Sequence, residues 1–199
     1  PFLGGYAWPI WYKTFAKKRS YEEEINPIKI KLLFTIQGQQ QFINNEPLPE
    51  SILELIKHYT NIYERTNNDL FELRIRLHPN NLSQDIAYLK DRLGELFYSD
   101  LISYSSKLKC CLYDDLIWAN HHITFYSSCA IEALIFGIKS AVYGNEAYKI
   151  YEEEIENKSI TFLKNNSADE IIKWIDNEIF PSKNSYKNLI ESIFPDPNL

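Results

Sequence analysis

The sequence predicts an α/β fold, a Rossmann-like parallel sheet with helices on both faces, and three observations carry that reading. Short apolar runs of strand length recur from residue 28 onward. Between them lie segments whose apolar residues repeat at helical spacing. Capping residues and glycines punctuate the joins, as at Ser83, Gly94 and Ser167. Strands that alternate with helices at this cadence imply parallel pairing through right-handed crossovers.

The first strand is read in 28–36, IKIKLLFTI. Ile28, Ile30, Leu32, Phe34 and Ile36 share one face, Lys29 and Lys31 stand opposite near its start, and the run leads into Gly38. In 49–65, Ile52, Leu55, Ile56, Tyr59, Ile62 and Tyr63 recur as on a helix. A second strand is expected in 69–77, DLFELRIRL. Ser83 is expected to cap a helix that carries Ile86, Leu89 and Leu93 and stops at Gly94. LISYS at 101–105 gives a third strand, 111–119 a helix, and HHITFYS at 121–127 a fourth strand. The remaining units are a helix in 129–137, a strand in 138–144, an acidic helix near 146–156, a strand in 159–163, and a helix opened by the capping box Ser167-Ala168-Asp169-Glu170.

The ends break the repeat. Residues 1–26 hold aromatics, Gly-Gly and Pro with no period and read as an interdomain connector. Residues 27–178 form the domain, and 179–199 a C-terminal helix between Pro181 and Pro195. The chain has 199 residues, enough for one well-buried domain. It contains no Met, even at position 1, which is expected of a piece of a longer protein.

A net charge of -6, without a basic stripe, sets nucleic-acid binding aside, because that binding displaces counterions with Lys and Arg. No stretch reaches the roughly 18 to 20 apolar residues that span a bilayer, and the best candidate, 129–143, is interrupted by Glu132 and Lys139. No signal-peptide pattern is read within these residues. Cys110, Cys111 and Cys129 lack metal spacing and are expected as small core residues of a reduced protein. TIQGQQQF has one glycine, not the GxGxxG fingerprint, so no dinucleotide cofactor is expected.

Candidate chemistry gathers in two places. Ser127 and Ser128 follow an apolar strand and open a helix, with Ser128 placed as N-cap, where hydroxyls and unpaired N–H groups suit a phosphate. Glu132 lies four residues past Ser128 and five past Ser127, so neither pair has capping-box spacing. On a helix apolar nearly all round it needs a partner. Upstream, Pro79 holds His78 in extended backbone at a strand end, and Arg76 shares that strand face two residues earlier. Gly38 and Gln39 close the first strand, where a missing side chain admits a ligand; Ser103 and Ser105 close the third. His121 and His122 are consecutive on a strand and cannot chelate one metal together. Asp114 and Asp115 lie on a helix without DxD spacing, and no metal site is expected.

Arg-Leu-His-Pro at a strand end, followed about 50 residues later by Tyr-Ser-Ser and a helix with Glu at its fourth position, resembles the His-Pro and Ser-Ser motifs of bacterial GT-B glycosyltransferases. The likeness is greatest to capsule and lipopolysaccharide enzymes that use CMP-sialic acid or CMP-Kdo, and it covers one half of such a fold. It implies a metal-independent transferase that binds a nucleotide-sugar donor and a carbohydrate acceptor. His78, Ser127 and Ser128 would meet the leaving phosphate and Glu132 the ribose, with Arg76, Pro79, Gly38, Gln39 and Ser105 lining the donor site. The general base is implied to lie in a second, N-terminal domain, to which the helix in 179–199 would return. The resemblance further implies a cytoplasmic enzyme, or one peripheral at the inner face of the membrane. A transferase using UDP-sugars or CDP-glycerol, a sugar-nucleotide epimerase, and a noncatalytic flavodoxin-like binding module remain alternatives.

Overall fold

Six strands, all parallel, form one sheet in the order β3-β2-β1-β4-β5-β6. The computed structural model describes residues 29–36, 48–67, 70–78, 82–106 and 110–177. The expected connector in 1–26, the helix in 179–199, Gly38, Gln39 and Pro79 lie outside the described residues. In chain order the elements are β1 (Ile30–Thr35), α1 (Glu50–Thr66), β2 (Phe71–Arg76), α2 (Leu82–Leu93), β3 (Ile102–Ser105), α3 (Leu112–Trp118), β4 (His121–Thr124) and α4 (Cys129–Ile135). There follow β5 (Lys139–Tyr143), α5 (Asn145–Ile150), α6 (Glu152–Glu156), β6 (Ile160–Leu163) and α7 (Ala168–Asp176). This is the Rossmann-like sheet that the alternation predicts.

Period-two alternation sends each strand's residues to two different layers. Leu32, Phe34, Leu73, Ile75, Ile123 and Ala141 face α1, α2 and α7, and meet Ile52, Leu55, Ile56, Leu89, Ile171 and Trp174 in the larger core. Leu33 and Val142 face the other way, against Leu116, Ala133 and Leu134 of α3 and α4. Each fully buried Leu or Ile contributes about 1.5–3 kcal/mol. Helices therefore cover both faces.

Some boundaries differ from the sequence expectation, each for a local reason. β4 stops at Thr124 instead of running to Ser127, because Thr124 pairs with Thr35, the last residue of β1. α2 begins at Leu82, which places Ser83 inside the helix and not at its cap. Gly94 does end that helix, at φ +55°. The acidic segment is two short helices, broken at the buried Tyr151. Ser167 caps α7 by accepting the Glu170 N–H, whereas the Glu170 carboxylate takes the N–H groups of Lys164 and Asn165 instead of closing the box.

Asn120, Lys139 and His122, on or beside the sheet, each find hydrogen-bond partners. The Asn120 side chain acts as a piece of strand: its amide donates to Lys29 O and its Oδ1 accepts from Lys31 N, both at 2.8 Å. Lys139, 4% exposed, donates to the carbonyls of Trp174 and Asn177 and so closes the C-terminal end of α7. His122 is fully buried between Thr35 Oγ1 at 3.1 Å and Ser140 Oγ at 2.9 Å.

Burial holds His122 down at about 3, so its ring is neutral in the fold. Below about pH 6.5 the unfolded chain binds a proton there that the folded chain does not. The contribution is intact above that pH and is lost as the pH falls towards 3, at about 1.4 kcal/mol per unit. Urea unfolding between about pH 7 and about pH 4.5 should therefore show a flatter decline for His122→Asn than for the wild type. Parallel declines would place the acid sensitivity in other groups.

Candidate functional site

β2 presents Arg74 and Arg76 on the same face at alternate positions, beneath α3. Two guanidinium groups under a helix require an anion. Asp115 of α3 supplies it: Arg74 Nη1 lies 3.1 Å from Oδ1 and Arg76 Nη1 lies 2.5 Å from Oδ2. Ser105 Oγ donates to Oδ2 at 2.6 Å and the Cys110 thiol to Oδ1 at 3.3 Å. Asp115 is completely buried. The Arg74 guanidinium also stacks over Trp118, 4.0 Å from the ring centre.

Arg76 reaches from this cluster towards α4. Glu132, in the first turn of α4, is pushed up to about 7 by burial, and the nearby Arg76 charge opposes the rise. Cys129 is likewise raised by burial, to about 11, with Glu132 adding to the rise and Arg76 opposing it. Arg76 thus lies within electrostatic reach of Glu132. Among the described residues Glu132 forms no direct ion pair.

The two serines divide their work differently from the sequence expectation. Ser128 flanks α4 in helical backbone, φ -52° and ψ -19°, and its hydroxyl makes no capping bond. Ser127 caps instead: its Oγ accepts from Cys129 N at 3.3 Å. Its carbonyl accepts from the Tyr151 hydroxyl at 2.6 Å, which ties the turn to the break between α5 and α6. Ser128 is exposed. At the far end of α4, Gly137 adopts φ +69°, which lets its N–H bond Leu134 O and that of Ile138 bond Ala133 O.

His78 lies two residues beyond β2, on the same carboxyl-terminal edge as Ser127 and Ser128 beyond β4, with β1 between the two strands. Adjacent strands lie about 4.8 Å apart, so the two segments leave the sheet about 10 Å from each other. His78 is half-buried, and its backbone N–H and ring lie close to Asp85 of α2. Asp85 is 1% exposed and has no hydrogen bond of full geometry to either carboxylate oxygen. Burial raises its proton affinity, and His78 opposes the rise.

Of the expected site residues, the structure sets Arg76 within electrostatic reach of Glu132 and places His78, Ser127 and Ser128 on one edge. Ser105 is also at that edge, but it is buried and its hydroxyl is engaged by Asp115. Gly38, Gln39 and Pro79 lie outside the described residues. Sequence reasoning treated Asp115 as a helix residue without function. Arg74 and Arg76, alternating on a central strand just upstream, were the signal that it would be needed. The cysteines are not simple core residues either: Cys111 is exposed, and Cys110 turns its thiol to Asp115. His121 and His122 do occupy opposite faces, the first against Trp174 and the second between Thr35 and Ser140. Among the described residues no cluster of His, Cys, Asp or Glu is placed to hold a metal, and no helix is long and apolar enough to cross a membrane.

No family model and no curated protein matches the chain. Among solved structures it is similar to the wall teichoic acid polymerase TagF, at 12% identity and a TM-score of 0.48, over 92% of this chain and 43% of that one. It is also similar to the UDP-GlcNAc 2-epimerase of Neisseria meningitidis bound to UDP-GlcNAc, at 17% identity and a TM-score of 0.49, over 92% of this chain and 49% of that one. The chain spans less than half the length of either.

The influence of the Arg76 charge on Glu132 sets a titration that can be measured directly. Carbon-detected NMR should find the Glu132 carboxyl titrating near pH 7, and Arg76→Ala should move it higher by removing the charge that favours the carboxylate. An unchanged midpoint in the variant would show that the two groups do not interact.

Proposed function

We propose that this chain is the donor-binding half of a GT-B glycosyltransferase that moves a CMP-activated sugar acid onto a surface-polysaccharide acceptor. The observation that carries this reading is the gathering of Arg76, Glu132, Ser127 and Ser128 at the carboxyl edge of the sheet. There the strand order reverses between β1 and β4. Crevices at such reversals are where open α/β sheets bind nucleotides. The His-Pro and Ser-Ser segments leave the sheet on either side of that crevice, in the order that resembles CMP-sugar users.

In this account the hydroxyl of Ser128, not consumed in capping, is a donor to the phosphate. Arg76 supplies positive charge, and His78, beyond β2, stands on the other side of the crevice, with Pro79 assigned to the same segment. Glu132 accepts hydrogen bonds from ribose hydroxyls, Gly38 and Gln39 are assigned to the donor site, and Ser105, its hydroxyl on Asp115, supports the Arg76 side of it. The acceptor hydroxyl attacks the anomeric carbon while these groups stabilise the departing phosphate, usually the larger part of such catalysis. A general base must lie within hydrogen-bond reach of the acceptor. That group belongs to a second domain, with residues 1–26 as connector and 179–199 returning to it. The enzyme works at the cytoplasmic side, without metal or cofactor.

Calorimetric titration of the chain with CMP, UMP and AMP should give the tightest binding for CMP, weakened by Glu132→Ala. A clear preference for UMP would redirect the reading to a UDP-sugar enzyme, and no binding of any of the three would end it. The chain alone should transfer no sugar from a CMP-sugar donor. Transfer at the rate of a longer protein would refute the claim that the base lies elsewhere.

A further inference from the structure

We infer that Asp115 is a positioning residue, which clamps Arg76 by one nitrogen so that the rest of its guanidinium faces an oxyanion. The anion's identity as the nucleotide phosphate rests on the donor-binding reading above. Every hydrogen bond that Arg76 makes among the described residues uses Nη1: Asp115 Oδ2 at 2.5 Å, Cys110 O at 3.4 Å and Cys110 Sγ at 4.0 Å. Its Nε and Nη2 take no partner there, and these two form the side-on edge that matches two oxygens of a phosphate. Asp115 holds that arrangement rigidly. Each of its oxygens receives one guanidinium and one neutral donor, Arg74 with Cys110 on Oδ1 and Arg76 with Ser105 on Oδ2. Two cations share one carboxylate, so the cluster keeps a positive charge within electrostatic reach of Glu132 in the first turn of α4, which Ser127 and Ser128 precede. A buried carboxylate of this kind fixes geometry more than it adds stability.

Charge alone and positioning predict opposite outcomes. Asp115→Asn removes a negative charge near the site, so if Asp115 acted only through its charge, CMP would bind more tightly. If it positions Arg76, CMP binding weakens by about tenfold or more, the loss of one charge-assisted bond. Cytidine, which lacks the phosphate, should bind the variant and the wild type alike, whereas general damage to the fold would weaken both ligands. In an Arg76→Ala background, Asp115→Asn should change CMP affinity by less than about twofold. Tighter CMP binding in Asp115→Asn, or an equal loss for cytidine, would overturn the proposal.

A measurement on the wild type keeps the test independent of the variant's folding and of the nucleotide reading. The side-chain nitrogen spectrum of Arg76 should show restricted rotation of its guanidinium, with inorganic pyrophosphate shifting the Nε signal. If pyrophosphate shifts Arg76 while no cytidine compound binds, the clamp stands and the nucleotide assignment falls. Free rotation of Arg76 in the wild type, or no shift with pyrophosphate, would refute the clamp itself.

Discussion

An all-parallel sheet has to hide both of its faces, and the rest of this structure follows from that constraint. One face is met by α1, α2 and α7 through an apolar core around Leu32, Phe34, Leu73, Ile75 and Ile123. The other carries Arg74, Arg76, Thr35, His122 and Ser140 among its apolar residues, and each of these must find a partner under α3 and α4. Leaving one buried polar group unmatched costs about 1–3 kcal/mol, and more for a charge. The neutral groups satisfy one another across strands. The two arginines cannot, and they draw Asp115 into the core.

That requirement also places charge at the carboxyl edge. Arg74, Arg76 and Asp115 carry one net positive charge, placed within electrostatic reach of Glu132 and Cys129 on the next helix. A carboxyl group held near pH 7, a guanidinium whose Nε and Nη2 take no partner among the described residues, and an exposed serine hydroxyl then stand near the reversal of strand order. Parallel pairing carries the ends of all six strands to this one edge, so residues far apart in sequence meet there without any further device.

The fold was legible because period and length both agreed. Six strands and the helices between them were readable from runs such as those around Leu32 and Leu73. Termini were read less well, since they depend on neighbours: β4 ends where β1 ends, and Ser83 lies within a helix that already includes Leu82. In the site, Arg76 and Glu132 were identified separately from strand parity and helix burial, and the structure supplies their proximity. Asp115 escaped notice because a pair of aspartates near a helix start looks like ordinary first-turn acid. Its neighbour Asp114 is that kind of residue, accepting from Cys111 N at 3.0 Å. The division of labour between Ser127 and Ser128 was also hidden, as was the bond from the Tyr151 hydroxyl, 24 residues away, to the Ser127 carbonyl.

The central claim is that a nucleotide phosphate binds at the carboxyl edge between β1 and β4. Amide and side-chain NMR shifts recorded while CMP is added to the labelled chain test it most directly. The account predicts that the largest shifts fall on Arg76, His78, Ser127, Ser128 and Glu132. Shifts concentrated at the opposite edge, around Lys31, Asn120 and Ile138, or spread evenly over the surface, would contradict it.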